Sequence, residues 1–185
     1  FSNSSICNLD CITCCAKFKR EDSALINKTL NEIWRYLPKA KALHLSGNGD
    51  PFARPDTRKI LLDFDGTKYP DVRMNLLTNG LLLPMYWDMI RHQNFGWINV
   101  SVDAATAGTY EKIRRPGKWN QLLRALSLIR DNRTSFSDTI INMTVLKENY
   151  LEMASFIALG EKHGFNVSFS KVRTQGDLDP RLNFF

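Results

Sequence analysis

The amino-acid sequence predicts an α/β fold in which parallel β-strands alternate with α-helices. Its 185 residues suit one globular domain. Short strand-like stretches and stretches with helical periodicity follow one another along the chain, and each strand alternates apolar with polar residues. Because this alternation of elements is typical of parallel βαβ units, we expect about six such units, counting a short strand before Cys7.

The elements follow in a regular order after the cysteine-rich start of the chain. The first predicted helix has apolar residues at helical spacing from Leu25 to Leu37, and Pro38 ends it. The remaining predicted helices cover 58–64, 84–92, 106–130 with an interruption at Pro116-Gly117, and 150–163. The predicted strands cover 42–46, 72–77, 98–103, 139–146 and 166–172.

Each predicted strand has one apolar and one polar face. In the strand 98–103, the side chains of Asn99, Ser101 and Asp103 share the polar face, and the strands 42–46, 139–146 and 166–172 alternate in the same way. A parallel sheet that is buried on both sides usually consists of continuous apolar runs. The polar faces therefore predict an open or partial barrel that lines a cavity, with helices on its outer face. A sheet with one face in solvent is the alternative.

The charge pattern argues against a nucleic-acid partner. Lysine and arginine outnumber aspartate and glutamate by 25 to 19, which gives a net charge of +6. The excess is spread in short clusters such as 17–20, as on a solvated basic surface that could also meet an anionic cofactor. No stretch approaches the roughly 18 apolar residues of a membrane span. We expect a cytoplasmic protein without a membrane partner.

Both ends of the sequence suggest a piece of a longer chain. It begins at Phe1, inside the short predicted strand, and ends on the apolar stretch Asn183-Phe184-Phe185. We expect residues 1–185 to form a single core domain, with no second domain in this sequence.

The four cysteines all lie between positions 7 and 15, so a disulfide could cross-link only that loop. Clustered thiols in a reducing compartment indicate a metal site. Cys7, Cys11 and Cys14 are separated by three and two residues in a loop after a strand. Three thiolates can bind three irons of a four-iron cluster, which leaves the fourth iron open to an external ligand.

Other assignments of the thiols remain open. Cys15 is expected to be a spare thiol, because adjacent cysteines seldom reach the same cluster. The thiols could be inert, or they could form a zinc site with a histidine, although none of the three histidines has zinc-finger spacing. The histidines are His44, His92 and His163.

The stretch CNLDCITC resembles the CxxxCxxC motif of the radical S-adenosylmethionine (SAM) superfamily. The resemblance implies a partial (β/α)6 TIM-type barrel with helices outside, a 4Fe-4S cluster held by Cys7, Cys11 and Cys14, and SAM bound to the open iron through its amino and carboxylate groups. In the family the residue before the third cysteine is usually aromatic and lies near the adenine. Thr13 departs from that pattern.

The resemblance extends to stretches that resemble the family's SAM contacts at the ends of later strands. The stretch 46–51, SGNGDP, is similar to a glycine-rich loop ending in Glu-Pro that takes the amino group of SAM, with Asp50 in place of the glutamate. Residues 77–80, LTNG, match a Thr-Asn-Gly stretch, and residues 100–104, VSVDA, are similar to a Ser-x-Asp element that holds the ribose or the carboxylate. The implied contacts are Gly47, Asn48, Gly49, Asp50, Thr78, Asn79, Ser101 and Asp103.

Two further stretches complete the implied SAM site. Residues 110–117, YEKIRRPG, resemble a Tyr-x-x-Ile-Arg element whose arginine grips the SAM carboxylate, which assigns Arg114 to that role, with Arg115 as the alternative. The strand around Thr144 and Leu146 with Asn149 after it, and the last strand with its end 171–173, would flank the adenine.

The resemblance also implies an activity. Reductive cleavage of SAM at the cluster would yield a 5'-deoxyadenosyl radical that abstracts a hydrogen atom from a substrate at the barrel mouth. The electron donor would be a flavodoxin or ferredoxin. The elements at 100–104 and 110–114 are most similar to the SPASM-like branch, which modifies peptides or proteins, although the cysteine-rich C-terminal extension of that branch is absent from this sequence. The alternatives are a non-catalytic metal-stabilised barrel that binds RNA or protein, and a ferredoxin-like electron carrier.

Overall fold

The fold is a five-stranded parallel sheet with helices on one side, in a computed structural model that describes residues 4–14, 23–45 and 48–172. The sheet order is β1-β2-β3-β4-β5, so every strand pairs with its neighbour in the chain. The strands are β1 (Ala42–Leu45), β2 (Arg73–Thr78), β3 (Phe95–Ser101), β4 (Asp138–Val145) and β5 (Asn166–Lys171). The predicted α/β fold with parallel strands is confirmed.

Helices connect the strands. They are α1 (Ser23–Tyr36), α2 (Pro55–Asp63), α3 (Leu83–Ile90), α4 (Ala107–Ile113), α5 (Trp119–Asp131) and α6 (Met153–His163). Pro55 begins α2, where its missing N–H costs no hydrogen bond, and Gly164 ends α6 with a left-handed φ of 71°. None of the helices in the described part of the chain combines the length and apolar character that crossing a bilayer requires.

Several element boundaries differ from the sequence prediction, and two of the differences lie close to the cysteines and the strand ends. The strand predicted at 98–103 ends at Ser101, because Asp103 adopts a left-handed backbone (φ 63°) that a strand does not accommodate. Of the short strand predicted before Cys7, residues 4–6 form no strand, and residues 1–3 lie outside the described part of the chain.

The two faces of the sheet differ in polarity, as predicted. The outer face packs against the helices through fully buried side chains, among them Leu45, Leu76, Ile98, Val100 and Ile141. On the inner face, Asn99, Ser101, Asn142 and Thr144 are half-buried. Because the carboxyl ends of parallel strands meet at one edge of the sheet, the loops after β1, β2 and β3 converge there.

Candidate active site

The segment 4–14, here called the cysteine loop, is fixed to the segment that ends α4. The backbone N–H of Asp10 donates to the carbonyl of Arg115 (2.5 Å), and that of Ile12 donates to the carbonyl of Ile113 (3.0 Å). Two backbone hydrogen bonds two residues apart hold the middle of the loop in register with this segment. The backbone at Asp10 and Ile12, between the first and third cysteines, is therefore held in place by the rest of the chain.

A second attachment joins the cysteine loop to the loop after β1. The backbone N–H of Asp50 donates to the carbonyl of Ile6 at 3.0 Å. Gly49 has φ +75°, and a Cβ atom there would lie 2.3 Å from the same carbonyl oxygen. The close approach of these two loops thus requires glycine at position 49.

A small apolar cluster forms the third attachment. Ile12 packs against Ile113, Leu146 and Val172, which are buried at the ends of α4, β4 and β5. Because Ile12 lies between the second and third cysteines, the cluster anchors this part of the cysteine loop over the strand ends. Leu146, predicted to flank the adenine, lies in this cluster.

The three thiols line one cavity of about 230 Å³ together with most of the predicted SAM contacts. Cys11 is buried, Cys14 is half-buried and Cys7 is exposed. The lining residues are Cys7, Cys11, Thr13, Cys14, Asn48, Gly49, Asp50, Leu77, Thr78, Asn79, Ser101 and Arg114. The predicted residues Gly47, Cys15 and Arg173 lie outside the described part of the chain, and Arg115 is exposed and does not line this cavity.

The surroundings of Cys7 disfavour its thiolate form in the absence of metal. Partial burial raises the pKa of the Cys7 thiol to about 11, against the lowering effect of the hydrogen bond from the Leu9 N–H. Asp50, Cys11 and Cys14 raise the same pKa further by charge repulsion. A bound cation would offset this repulsion, since metal ligation requires the thiolate.

The donor set fits an iron–sulfur cluster better than a zinc ion. Among the described residues, no three His, Cys, Asp or Glu side chains converge on a point where one metal ion could be held. In a 4Fe-4S cluster each thiolate binds a different iron, so the three sulfurs need not share one metal ion. His44, His92 and His163 do not line the cavity, so none of them completes a zinc site there.

Asp50 joins the loop after β1 to the end of β2. It is 1% exposed, and its Oδ2 accepts hydrogen bonds from the Thr78 hydroxyl (2.7 Å) and the Asn79 backbone N–H (2.8 Å). Its Oδ1 accepts a hydrogen bond from the backbone N–H of Phe52 (3.0 Å). Burial raises the pKa of Asp50, and these hydrogen bonds offset only part of the effect.

Asp103 has a different position from the one expected. It is fully buried, its Oδ2 accepts hydrogen bonds from Nε (2.9 Å) and Nη2 (2.6 Å) of Arg114, and its Oδ1 accepts one from the Thr144 backbone N–H (2.7 Å). Asn149 supports it by donating to its carbonyl (2.9 Å). The structure therefore separates two residues expected on one polar face, since Ser101 lines the cavity and Asp103 is turned into the protein.

Arg114 presents a positive charge to the cavity. Burial alone would lower its pKa, but the attraction of Asp103 outweighs this effect and raises the pKa, so the guanidinium stays charged. Nε and Nη2 are used on Asp103, whereas Nη1 has no hydrogen-bond partner within the described ranges. A guanidinium with an unused edge can bind an external carboxylate.

Two supporting interactions escaped the sequence analysis. The fully buried Arg54 forms a bidentate pair with Asp56 (3.2 and 2.8 Å), and its Nη1 donates to the carbonyl of Asn48 (3.2 Å). Glu152 accepts hydrogen bonds from the backbone N–H groups of Ala105 (2.6 Å) and Thr106 (3.2 Å) just before α4. The sequence signal for the Arg54–Asp56 pair is the stretch 54–56 at the start of a helix. The contacts of Glu152 have no sequence signal.

A family model described as the radical SAM superfamily matches residues 3–159. The mycofactocin maturase MftC of Mycobacterium ulcerans is 25% identical over 173 residues, covering 92% of this chain and 46% of that protein. The GTP 3',8-cyclase of Petrotoga mobilis is 25% identical over 179 residues, covering 92% of this chain and 54% of that protein.

The chain therefore spans about half the length of these curated relatives. Among solved structures, Streptococcus suis SuiB bound to S-adenosylmethionine superposes with a TM-score of 0.73 at 11% identity, covering 95% of this chain and 40% of that one. A second structure, SuiB bound to the precursor peptide SuiA, has a TM-score of 0.65 at 11% identity, covering 95% of this chain and 41% of that one. At these identities the superpositions establish a common fold.

Proposed function

Because this chain belongs to the radical SAM superfamily, we propose that it is the catalytic core of an enzyme that uses a 4Fe-4S cluster and SAM to modify a peptide or protein. One observation carries the proposal. The three thiols of the cysteine loop line the same cavity as the charged Arg114 and the polar loops after β1 and β2. Ligands for a cluster and contacts for a zwitterionic cofactor are thus within one cavity.

Cys7, Cys11 and Cys14 hold the cluster in this proposal. When bound, the cluster supplies one electron from an iron without a protein ligand, and SAM cleavage then gives methionine and a 5'-deoxyadenosyl radical that abstracts hydrogen. The chain itself contributes the rigidity of the cysteine loop, which is attached to the loop after β1, to the end of α4 and to the apolar cluster around Ile12. A pre-positioned ligand set needs little reorganisation when metal binds.

The remaining cavity residues orient SAM. Nη1 of Arg114 binds the carboxylate, and the loop at Asn48 and Gly49 takes the amino group, with Asp50 holding that loop and contributing negative charge. Ser101 faces the cavity from the end of β3, where a ribose hydroxyl can meet it. These contacts fix the cofactor at two opposite charges, which defines its direction in the cavity.

A peptide substrate is favoured over a nucleotide. MftC is named a maturase, and SuiB has been solved with a precursor peptide. On the inner face of β3, β4 and β5, the described side chains include amides and hydroxyls, such as Asn99, Asn142, Ser168 and Ser170, and no lysine or arginine. Neutral donors and acceptors suit peptide groups, whereas a triphosphate needs cationic partners.

A flavodoxin or ferredoxin supplies the electron, because the chemistry requires a one-electron donor of low potential. The protein works in the cytoplasm, because three reduced thiols must remain available for iron.

The test is anaerobic reconstitution of the full-length protein with iron and sulfide, followed by reduction with dithionite and addition of SAM. We expect 5'-deoxyadenosine to form only when iron, reductant and SAM are all present. The Cys11→Ala variant is expected to lose both the iron–sulfur absorbance and this product. A wild-type protein that carries the cluster, is reduced reversibly and neither binds nor cleaves SAM would overturn the proposal in favour of an electron carrier or a non-catalytic barrel.

A further inference from the structure

We infer that Asn79 is a positioning residue for the cluster. Its side-chain amide donates a hydrogen bond to the sulfur of Cys7 and thereby raises the reduction potential of the cluster. This inference rests on the proposed function, since it requires a cluster on the three thiols. It assigns Asn79 to the cluster, whereas the family resemblance implied a contact with SAM.

The amide group of Asn79 has a defined orientation. Its Oδ1 accepts a hydrogen bond from the backbone N–H of Leu81 (3.0 Å), which identifies that atom as the oxygen. Its Nδ2 must then face the cysteine loop, where it lies 2.8 Å from Oδ1 of Asn8 and 3.7 Å from Sγ of Cys7. Asn79 is 5% exposed and its backbone N–H is bound to Asp50, so the residue is fixed from several sides.

The sulfur of Cys7 receives two hydrogen bonds from the described part of the chain. One comes from the backbone N–H of Leu9 (3.4 Å), which no substitution of a side chain removes. The other comes from Asn79, whose donor lies 72 residues further along the chain. Among the described side chains, Asn79 is the one that donates a hydrogen bond to this sulfur, and it can be substituted without altering the loop backbone.

The direction of the effect follows from charge. Reduction adds one electron to the cluster, and the thiolate ligands share the added negative charge. A donor N–H therefore stabilises the more negative state more strongly. Asn79 thus makes the cluster easier to reduce by the donor that the proposed function requires.

The experiment compares midpoint potentials in the full-length protein after anaerobic reconstitution, without SAM. The signal followed by electron paramagnetic resonance is the one that the Cys11→Ala variant lacks. For Asn79→Ala we expect a shift to more negative potential of about 59 mV, which corresponds to a roughly tenfold smaller equilibrium constant for one-electron reduction. The matched control is Asn8→Ala, which keeps the Asn79 donor to sulfur but removes the Asn8 Oδ1 that lies 2.8 Å from Nδ2 of Asn79 and 3.9 Å from Sγ of Cys7. Its shift in potential should be much smaller than that of Asn79→Ala.

A second variant keeps the inference testable in case Asn79→Ala does not assemble a cluster. Asn79→Asp keeps the acceptor for Leu81 but replaces the donor with a negative charge, so its potential should fall at least as far. The inference is overturned if either loaded variant has the wild-type potential, if Asn8→Ala shifts equally, or if both Asn79 variants fail to assemble a cluster. Failure of the wild type to assemble one would instead refute the proposed function.

Discussion

Two buried carboxylates near the strand ends differ in how their charge is compensated. Asp50, in the loop after β1, accepts hydrogen bonds only from neutral donors, and no cation pairs with it in the described part of the chain. Asp103, after β3, is paired with the guanidinium of Arg114 at 2.6 Å. The first region therefore holds an acidic group without a cationic partner in the described part of the chain, whereas the second presents an unused edge of a cation to the cavity.

The difference gives the cavity a polarity. A ligand with an ammonium group and a carboxylate, such as the amino-acid part of SAM, would be oriented with its ammonium near Asp50 and its carboxylate near Arg114. The raised pKa of Asp50 supports this orientation. Burial without a cation disfavours the charged carboxylate, and a bound ammonium group would favour it.

The largest effect on stability is expected at Asp103, whose charge is compensated by Arg114. Arg114→Ala leaves Asp103 charged, buried and without its cation, so the free energy of unfolding should fall by about 3–5 kcal/mol. Denaturant unfolding of the metal-free protein, followed by tryptophan fluorescence, measures the change. Adding Asp103→Asn to the same chain should recover part of the loss, because the unpaired charge is then removed. A loss below about 1 kcal/mol would mean that solvent already screens this pair.

The role of Asp50, the carboxylate without a cationic partner in the described part of the chain, is tested by ligand affinity. Asp50→Asn removes the negative charge and leaves one buried N–H group without an acceptor, so we expect a stability loss of about 1–3 kcal/mol and about tenfold weaker SAM binding in the loaded enzyme. Decarboxylated SAM, which keeps its ammonium group, should lose as much affinity for this variant. Calorimetric titration measures both ligands.

The matched control for that experiment is Arg114→Lys, which keeps the charge but loses the bidentate pair with Asp103. It should weaken binding of SAM but leave binding of decarboxylated SAM unchanged, because the latter has no carboxylate for position 114 to bind. If the two variants affected the two ligands equally, the cavity would lack the proposed polarity.

The sequence indicated which residues approach the site but not how they pair. Alternating polarity placed Ser101 on the inner face, and thiol spacing placed the cysteines together, because both depend on local geometry. The turn of Asp103 toward Arg114 depends on a left-handed backbone at a residue other than glycine, which has no clear sequence signal. The buried pair of Arg54 with Asp56 is local in sequence, yet its contact with Asn48 arises only from the folded path of the loop.

The smallest expected effect concerns Glu152, which does not contact the Asp103–Arg114 pair but holds the segment between them. Its carboxylate accepts hydrogen bonds from Ala105 and Thr106, 47 and 46 residues earlier in the chain, and so fixes the segment between Asp103 and α4. Burial tends to raise the pKa of Glu152, but these hydrogen bonds together with those of the Thr106 and Thr109 hydroxyls lower it overall. The folded state therefore stabilises the carboxylate form of Glu152 more strongly than the unfolded state does.

The sign of the pH dependence follows from the lowered pKa of Glu152. The stabilisation is complete above the unfolded-state pKa of about 4.3 and is lost as the pH falls through the lower pKa of the folded protein. Glu152→Gln should therefore reduce the free energy of unfolding by about 1 kcal/mol at pH 7, and the difference from the wild type should shrink as the pH falls below about 4. Urea unfolding of the metal-free protein across this range measures it. A difference that stayed constant with pH would show that the charge of Glu152 does not contribute to holding this segment.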